Sequence, residues 1–152
     1  MPNSKGPKEQ IRRLYSNVIH SVLLYGAPVW AENITRNIQV KRKIYRLQRK
    51  ICPRMCCGYK TISFVAATIL ARCTPLDLTA NVLNKIYKQV KKNMEREGTF
   101  LEHSVKVRLC LEAKREAVKE WKIRVTTSHN TSGIRVTQAT VPHLEEWYRM
   151  KK

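Results

Sequence analysis

The sequence predicts an all-α protein, a small bundle of about five to six helices with a loosely attached C-terminal helix. Three observations carry this. Apolar residues recur at i, i+3, i+4 and i+7 through most of the 152 residues, which is the period that lines one face of a helix. Glycines and prolines fall between these periodic stretches, with Pro53 the exception. At 43% hydrophobic residues the chain is long enough for one modest core. The reading divides it into a bundle over 1–100, a connector helix over 101–125, a linker over 126–139 and a short C-terminal helix over 140–152.

From Pro7, the residues Ile11, Leu14, Tyr15, Val18, Ile19, Val22 and Leu23 form an inward stripe, and the helix should end near Gly26 because Pro28 disfavours helical geometry before it. His20 falls on the wetter side and reads as a solvated surface histidine. Val29, Trp30 and Ala31 follow as an apolar landing. Asn33 or Thr35 can then cap a basic helix, in which Val40, Ile44, Leu47 and Ile51 make one narrow stripe. Pro53 clashes with the carbonyl of Arg49, so that helix should kink or restart before Gly58 closes it. Ser63 to Leu70 is apolar nearly all round and should be buried. Thr74-Pro75-Leu76-Asp77 is a helix start with a capping threonine and a first-turn acid. Leu76, Ala80, Leu83, Ile86, Tyr87, Val90 and Met94 then point inward up to Gly98. Val105 to Leu111 alternates as a strand would, but Glu112 to Trp121 is rich in helix formers, so one solvated helix is expected from about Ser104 to Val125. Its charges pair locally, Arg108 and Arg115 with Glu112, and Glu116 with Lys119. Thr126 to Gly133 is a loop. Thr140-Val141-Pro142 opens a helix whose Leu144, Trp147 and Tyr148 dock back on the body.

Thirty Lys and Arg against eleven acids give a net charge of +19, an imbalance that normally accompanies a polyanionic partner. Nucleic acid is the first candidate and an anionic membrane surface the second, with a merely soluble basic protein as the bland alternative. The basic stretch carries Arg36, Lys41, Arg42, Lys43, Arg46, Arg49, Lys50, Arg54 and Lys60, and no acid occurs between Asn33 and Leu76. Lys88, Lys91 and Lys92 of the following helix extend it. Cations so spaced neutralise phosphates without reading bases. Tyr45 and Tyr59 are candidates to stack on exposed bases, and Lys41-Arg42-Lys43 matches a nuclear-import signal. The apolar run Val22 to Ala31 is too short for a bilayer, which needs ~20 residues. Met1 to Glu9 lacks the apolar stretch of a secretory signal. An intracellular protein is expected, nuclear more than cytoplasmic, with no membrane and no small-molecule substrate as partner. The two Asn-x-Ser/Thr sequons then carry no meaning.

Chemistry by this chain alone is not expected. Its single aspartate, Asp77, already has a place at a helix start, whereas a two-metal centre needs several carboxylates around ions ~3.5–4 Å apart. There is no Gly-x-Ser-x-Gly and no phosphate-cradling glycine loop. His103 and His129 have no partner of evident role. The five cysteines, Cys52, Cys56, Cys57, Cys73 and Cys110, form no Cys-x-x-Cys pair. They read as free thiols, and neither a metal nor a cofactor is expected.

Four segments occur in order: Leu23-Leu24-Tyr25-Gly26-Ala27-Pro28-Val29-Trp30-Ala31, Leu47-Gln48-Arg49, Gly58-Tyr59-Lys60-Thr61-Ile62-Ser63, and Pro75-Leu76-Asp77-Leu78. Together they resemble the segment after the palm domain in reverse transcriptases of arthropod non-LTR retrotransposons, of the jockey and I-factor type. The likeness covers about Arg12 to Tyr87 and continues faintly through Trp121 and Pro142 to Trp147. It implies a thumb-like bundle and connector that grip an RNA or RNA–DNA template-primer. Polymerisation is then left to a palm and fingers elsewhere, on another chain or in a larger or split enzyme. A mobile-element remnant without selected function is the alternative. Pro53 and Cys56-Cys57 depart from the family pattern.

Overall fold

Each glycine or proline boundary separates helices, and one boundary makes a helix where a landing was expected. The computed structural model describes residues 7–127 and 134–149. Among these residues there are eight helices and no strand: α1 (Glu9–Leu24), α2 (Ala27–Arg36), α3 (Ile38–Met55), α4 (Phe64–Leu70), α5 (Leu76–Glu97), α6 (His103–Thr127), α7 (Ile134–Thr140) and α8 (Leu144–Arg149). The count exceeds the expected five to six for two reasons. Pro28 ends α1, but it then sits in the first turn of α2, where its missing N–H removes no bond. The expected linker also holds α7. Residues 128–133, with His129 and the second sequon, and the side chain of Trp147 lie outside the described residues.

The basic helix starts later than expected and is capped by Asn37. Its Oδ1 accepts from the backbone N–H of Gln39 at 2.9 Å and of Val40 at 3.3 Å. The helix passes through Pro53 without restarting. A proline this near the C-terminus removes one intrahelical bond, and the end closes by the Gly58 N–H donating 2.8 Å to the Pro53 carbonyl. Cys57, not Gly58, takes the left-handed position, at φ 51. At the far end of α5, Gly98 takes that conformation at φ 63, as expected from its sequence position.

The core forms three contiguous clusters, and α5 touches two of them. Leu78 and Val82 of α5 pack with Ile69 of α4, Ala113, Ala117, Trp121 and Val125 of α6, and Leu144 of α8. Trp121, 2% exposed, is the largest side chain in that cluster. An aromatic of its size buries about 200 Å², roughly 5 kcal/mol at 25 cal/mol per Å². The expectation of a solvated α6 is therefore wrong. Its stripe Ala113, Ala117, Val118, Trp121 and Val125 is short in reach but faces inward, because alanines let α6 lie close on α5. On the opposite side of α5, Ala80 meets Ala27, Ala31 and Ile34 of α2, with Val40 and Ile44 of α3 alongside. The third cluster joins Ile51, Cys52 and Met55 of α3 to Ala67, Ala71 and Cys73, with Ile19 and Leu23 of α1 against it.

Several residues expected inside are outside. Ile11, Leu14, Tyr15, Val18 and Val22 of α1 are all more than half exposed, as is Tyr87 of α5, while Leu47, Leu70 and Met94 are about two-fifths exposed. In α3 the inward position expected for Leu47 belongs to Gln48, which is fully buried.

Candidate nucleic-acid interface

Gln48 shows why a polar side chain displaces a leucine from the core. Its Nε2 donates 2.9 Å to the Thr74 carbonyl, and its Oε1 accepts from the Leu76 N–H at 3.1 Å. The orphan donor at the start of α5 is thus capped from α3. Thr74 does not cap with its own hydroxyl, contrary to the sequence reading, since α5 has no side-chain cap of its own.

Asp77 is more than a helix-start acid. It is 4% exposed, and its Oδ2 lies 2.5 Å from Arg124 Nη1 of α6, 3.2 Å from the Tyr45 hydroxyl and 3.7 Å from Lys41 Nζ. Burial, and next the Asp77 charge, push the Tyr45 hydroxyl up to about 12. Burial by itself would lower the Arg124 pKa, but the bond to Asp77 raises it. Tyr45 also stacks on Phe64, with centroids 5.1 Å apart. It is therefore a packing residue of the α3–α5–α6 junction and offers no free ring to a base.

The twelve cations expected to form the interface separate into three groups. Three reach acids that bracket the acid-free stretch: Lys41 meets Asp77, and Arg36 and Lys88 both meet Glu32 of α2. The Lys88 contact holds the Glu32 carboxyl below its usual range. Arg49 turns inward, donating 3.3 Å to the Lys60 carbonyl, and Lys91 pairs with Glu95 on its own helix at 3.7 Å. Arg42, Lys43, Arg46, Lys50, Arg54, Lys60 and Lys92 remain exposed, with no carboxylate partner among the described residues. Of these, Arg42, Arg46, Lys50 and Arg54 stand four residues apart on α3, a single ridge with Lys43 beside it. Of the twelve expected cations, most of those left free therefore stand on the outer side of α3; Lys106, Arg108, Lys114, Arg115 and Lys119 of α6 are also exposed without a carboxylate partner among the described residues. The fold also neutralises the stretch in part, which the local sequence did not suggest. On α6, Glu116 pairs with Lys85 of α5 at 2.6 Å and Arg124 with Glu120 at 2.5 Å; the local pairs expected around Glu112 do not form among the described residues.

His20 is half-buried, with Nε2 3.6 Å from Cys73 Sγ, so it is not the solvated histidine expected. Cys73 also accepts from Gln48 Nε2 at 3.4 Å. The hydrogen bond between Cys52 and Cys73, together with burial, pushes the Cys52 thiol up. Cys73 is drawn down by that same bond and next by His20. All five cysteines are free, and no cluster of three metal-ligating side chains occurs among the described residues. No described helix is long and apolar enough to cross a membrane.

The quoted sequence segments meet in space. Gln48 holds Thr74 and Leu76, Arg49 holds Lys60, and Ala27 and Ala31 rest on Ala80. Sequence reasoning missed Gln48, Asp77 and Arg124 as a junction; the signal available was a glutamine on an apolar stripe.

Across 144 residues the chain is 27% identical to a 115 kDa protein in the type-1 retrotransposable element R1DM of Drosophila melanogaster, a match covering 91% of this chain and 14% of that protein. The chain thus spans about one-seventh of that relative's length. The likeness supports derivation from a retrotransposable element. No family model matches the chain, and no solved structure matches it.

Proposed function

We propose that the chain is a nucleic-acid-gripping helical module, the thumb-like part of a non-LTR retrotransposon RNA-directed DNA polymerase, without the catalytic palm. The observation that carries this reading is the unpaired ridge Arg42, Arg46, Lys50 and Arg54, with Lys43 beside it. From Arg42 to Arg54 the ridge runs about 18 Å at 1.5 Å per residue. That length accompanies roughly five phosphates of one strand at ~3.4 Å each along the axis. The resemblance of the ordered segments to jockey and I-factor polymerases and the likeness to the R1DM protein support the origin. The partner on this reading is RNA or an RNA–DNA hybrid, held by phosphates, in the nucleus more than the cytoplasm. Chemistry is assigned to a separate palm, because Asp77 is buried and engaged by Arg124, Lys41 and Tyr45.

Binding of the full chain to a blunt RNA–DNA hybrid, followed by fluorescence anisotropy from ~50 to 200 mM salt, tests the proposal. Neutralising about five phosphates gives a log–log slope near −4.5, at about −0.9 per phosphate. Replacing Arg42, Arg46 and Lys50 together by Ala should flatten it by about 2.7, while Lys85→Ala, whose charge is already paired, should leave it much less changed. Affinity indifferent to salt would overturn the reading.

A second reading has its own observation. Leu14, Val18, Val22, Tyr25 and Val29 are exposed along α1 and the start of α2. A surface of this kind marks a contact with another body, and it favours a chain that works docked to a palm and fingers domain.

A further inference from the structure

At its C-terminal end, the cation ridge of α3 runs into a groove of about 570 Å³ between α1 and the turn after α3. Arg54 belongs to both. Tyr15 and Tyr59, 56% and 59% exposed, line the groove together with Lys60. No carboxylate lines it among the described residues. Within its wall is Ser16, fully buried, whose hydroxyl finds no hydrogen-bond partner.

Resting on the proposed duplex grip, we infer that this groove takes an unpaired nucleotide at the end of a strand lying on the ridge. Its base contacts Tyr15 and Tyr59, and its phosphate contacts Arg54 and Lys60. Three features converge on this ligand class. The volume lies within the range of small-molecule sites. Aromatic rings with cations beside them are the combination that holds single strands without reading sequence. Continuity through Arg54 carries the phosphate path from the ridge into the groove with no acidic break. An acidic amphipathic helix is the competing occupant; it would fill the apolar wall but needs no path of cations leading in.

The test compares the full chain on two probes, a blunt RNA–DNA hybrid and the same hybrid with a short single-stranded overhang. The overhang should tighten binding about ten-fold, within the range that one or two stacked bases supply. Tyr59→Ala and Tyr15→Ala should each reduce that gain while blunt affinity stays, and Tyr59→Phe should retain it. Equal binding of both probes by the native chain overturns the inference, as does a gain that survives loss of both tyrosines; either result leaves the groove to another occupant. If blunt binding keeps its salt slope while the overhang gain is absent, only this inference falls. If neither probe binds, the proposed grip falls with it.

Discussion

Gln48 and Tyr45 carry the clearest consequences of single side chains. Leucine fills nearly the same space as glutamine, so a role in packing alone would make Gln48→Leu close to neutral. The structure predicts otherwise, because the Leu76 N–H and the Thr74 carbonyl would be left without their Gln48 partner. At ~1–3 kcal/mol for each of these two buried unpaired groups, the variant should lose about 2–6 kcal/mol. Urea unfolding with an unchanged slope and a lower midpoint would show it. Tyr45 gives a pH signature. Its folded pKa is raised to about 12 from 10.0, so the fold favours the protonated phenol. That stability is fully present below pH 10 and is lost as pH rises from about 10 to 12. Two units correspond to ~2.7 kcal/mol at most, and partial exposure discounts this to about 1–2. The stability difference between the native chain and Tyr45→Phe should shrink across that window, and a difference that stays flat would contradict the assignment.

Helices α1 and α3 show how one periodic pattern can lead to two outcomes. Both were legible as helices, and both kept their expected extent to within a few residues. In α3 the stripe residues Val40, Ile44 and Ile51 pack in the core as expected, but Leu47 yields its place to Gln48, whose use depends on a helix start 28 residues away. The stripe of α1 was read as core, but only Ile19 and Leu23 reach the cluster around Ile51 and Cys52. Since Val18 and Val22 contact little, changing both to Gln should leave the melting temperature within ~1 °C or raise it, as Gln is the better helix former. The same change should lower self-association in sedimentation velocity, because two residues of the exposed apolar strip become polar. Loss of folding in this double variant would mean that the stripe is core after all.

The whole molecule is organised around α5, a conclusion that no local pattern in the chain offered. The basic stretch draws attention by its charge, yet the helix that separates the α2 contacts from the α6 contacts is the one bearing Leu78, Ala80 and Val82. At +19 the chain carries a self-repulsion that grows as its charges are brought together. Its acids offset part of this, largely at long range: Glu32 reaches Lys88 as well as Arg36 on its own helix, and Asp77 reaches Lys41 and Arg124. Among the described cations left without a carboxylate, those of α3 form a ridge with a direction, ending at Arg54 beside the tyrosine-lined groove, while Lys106, Arg108, Lys114, Arg115 and Lys119 stand exposed along α6.

By itself the sequence determined the helical class, the boundaries near Gly26, Gly58, Pro75 and Gly98, and the excess of positive charge. These follow from interactions spanning at most a turn or two, and from composition, which folding does not alter. Only the tertiary structure decided which cations stay free, which tyrosines are packed and which exposed, and that Gln48 and Asp77 are joints of the bundle. Those outcomes depend on groups tens of residues apart meeting in space. A side chain's partners across such distances are set by how helices pack, a property carried by no single stretch of the chain.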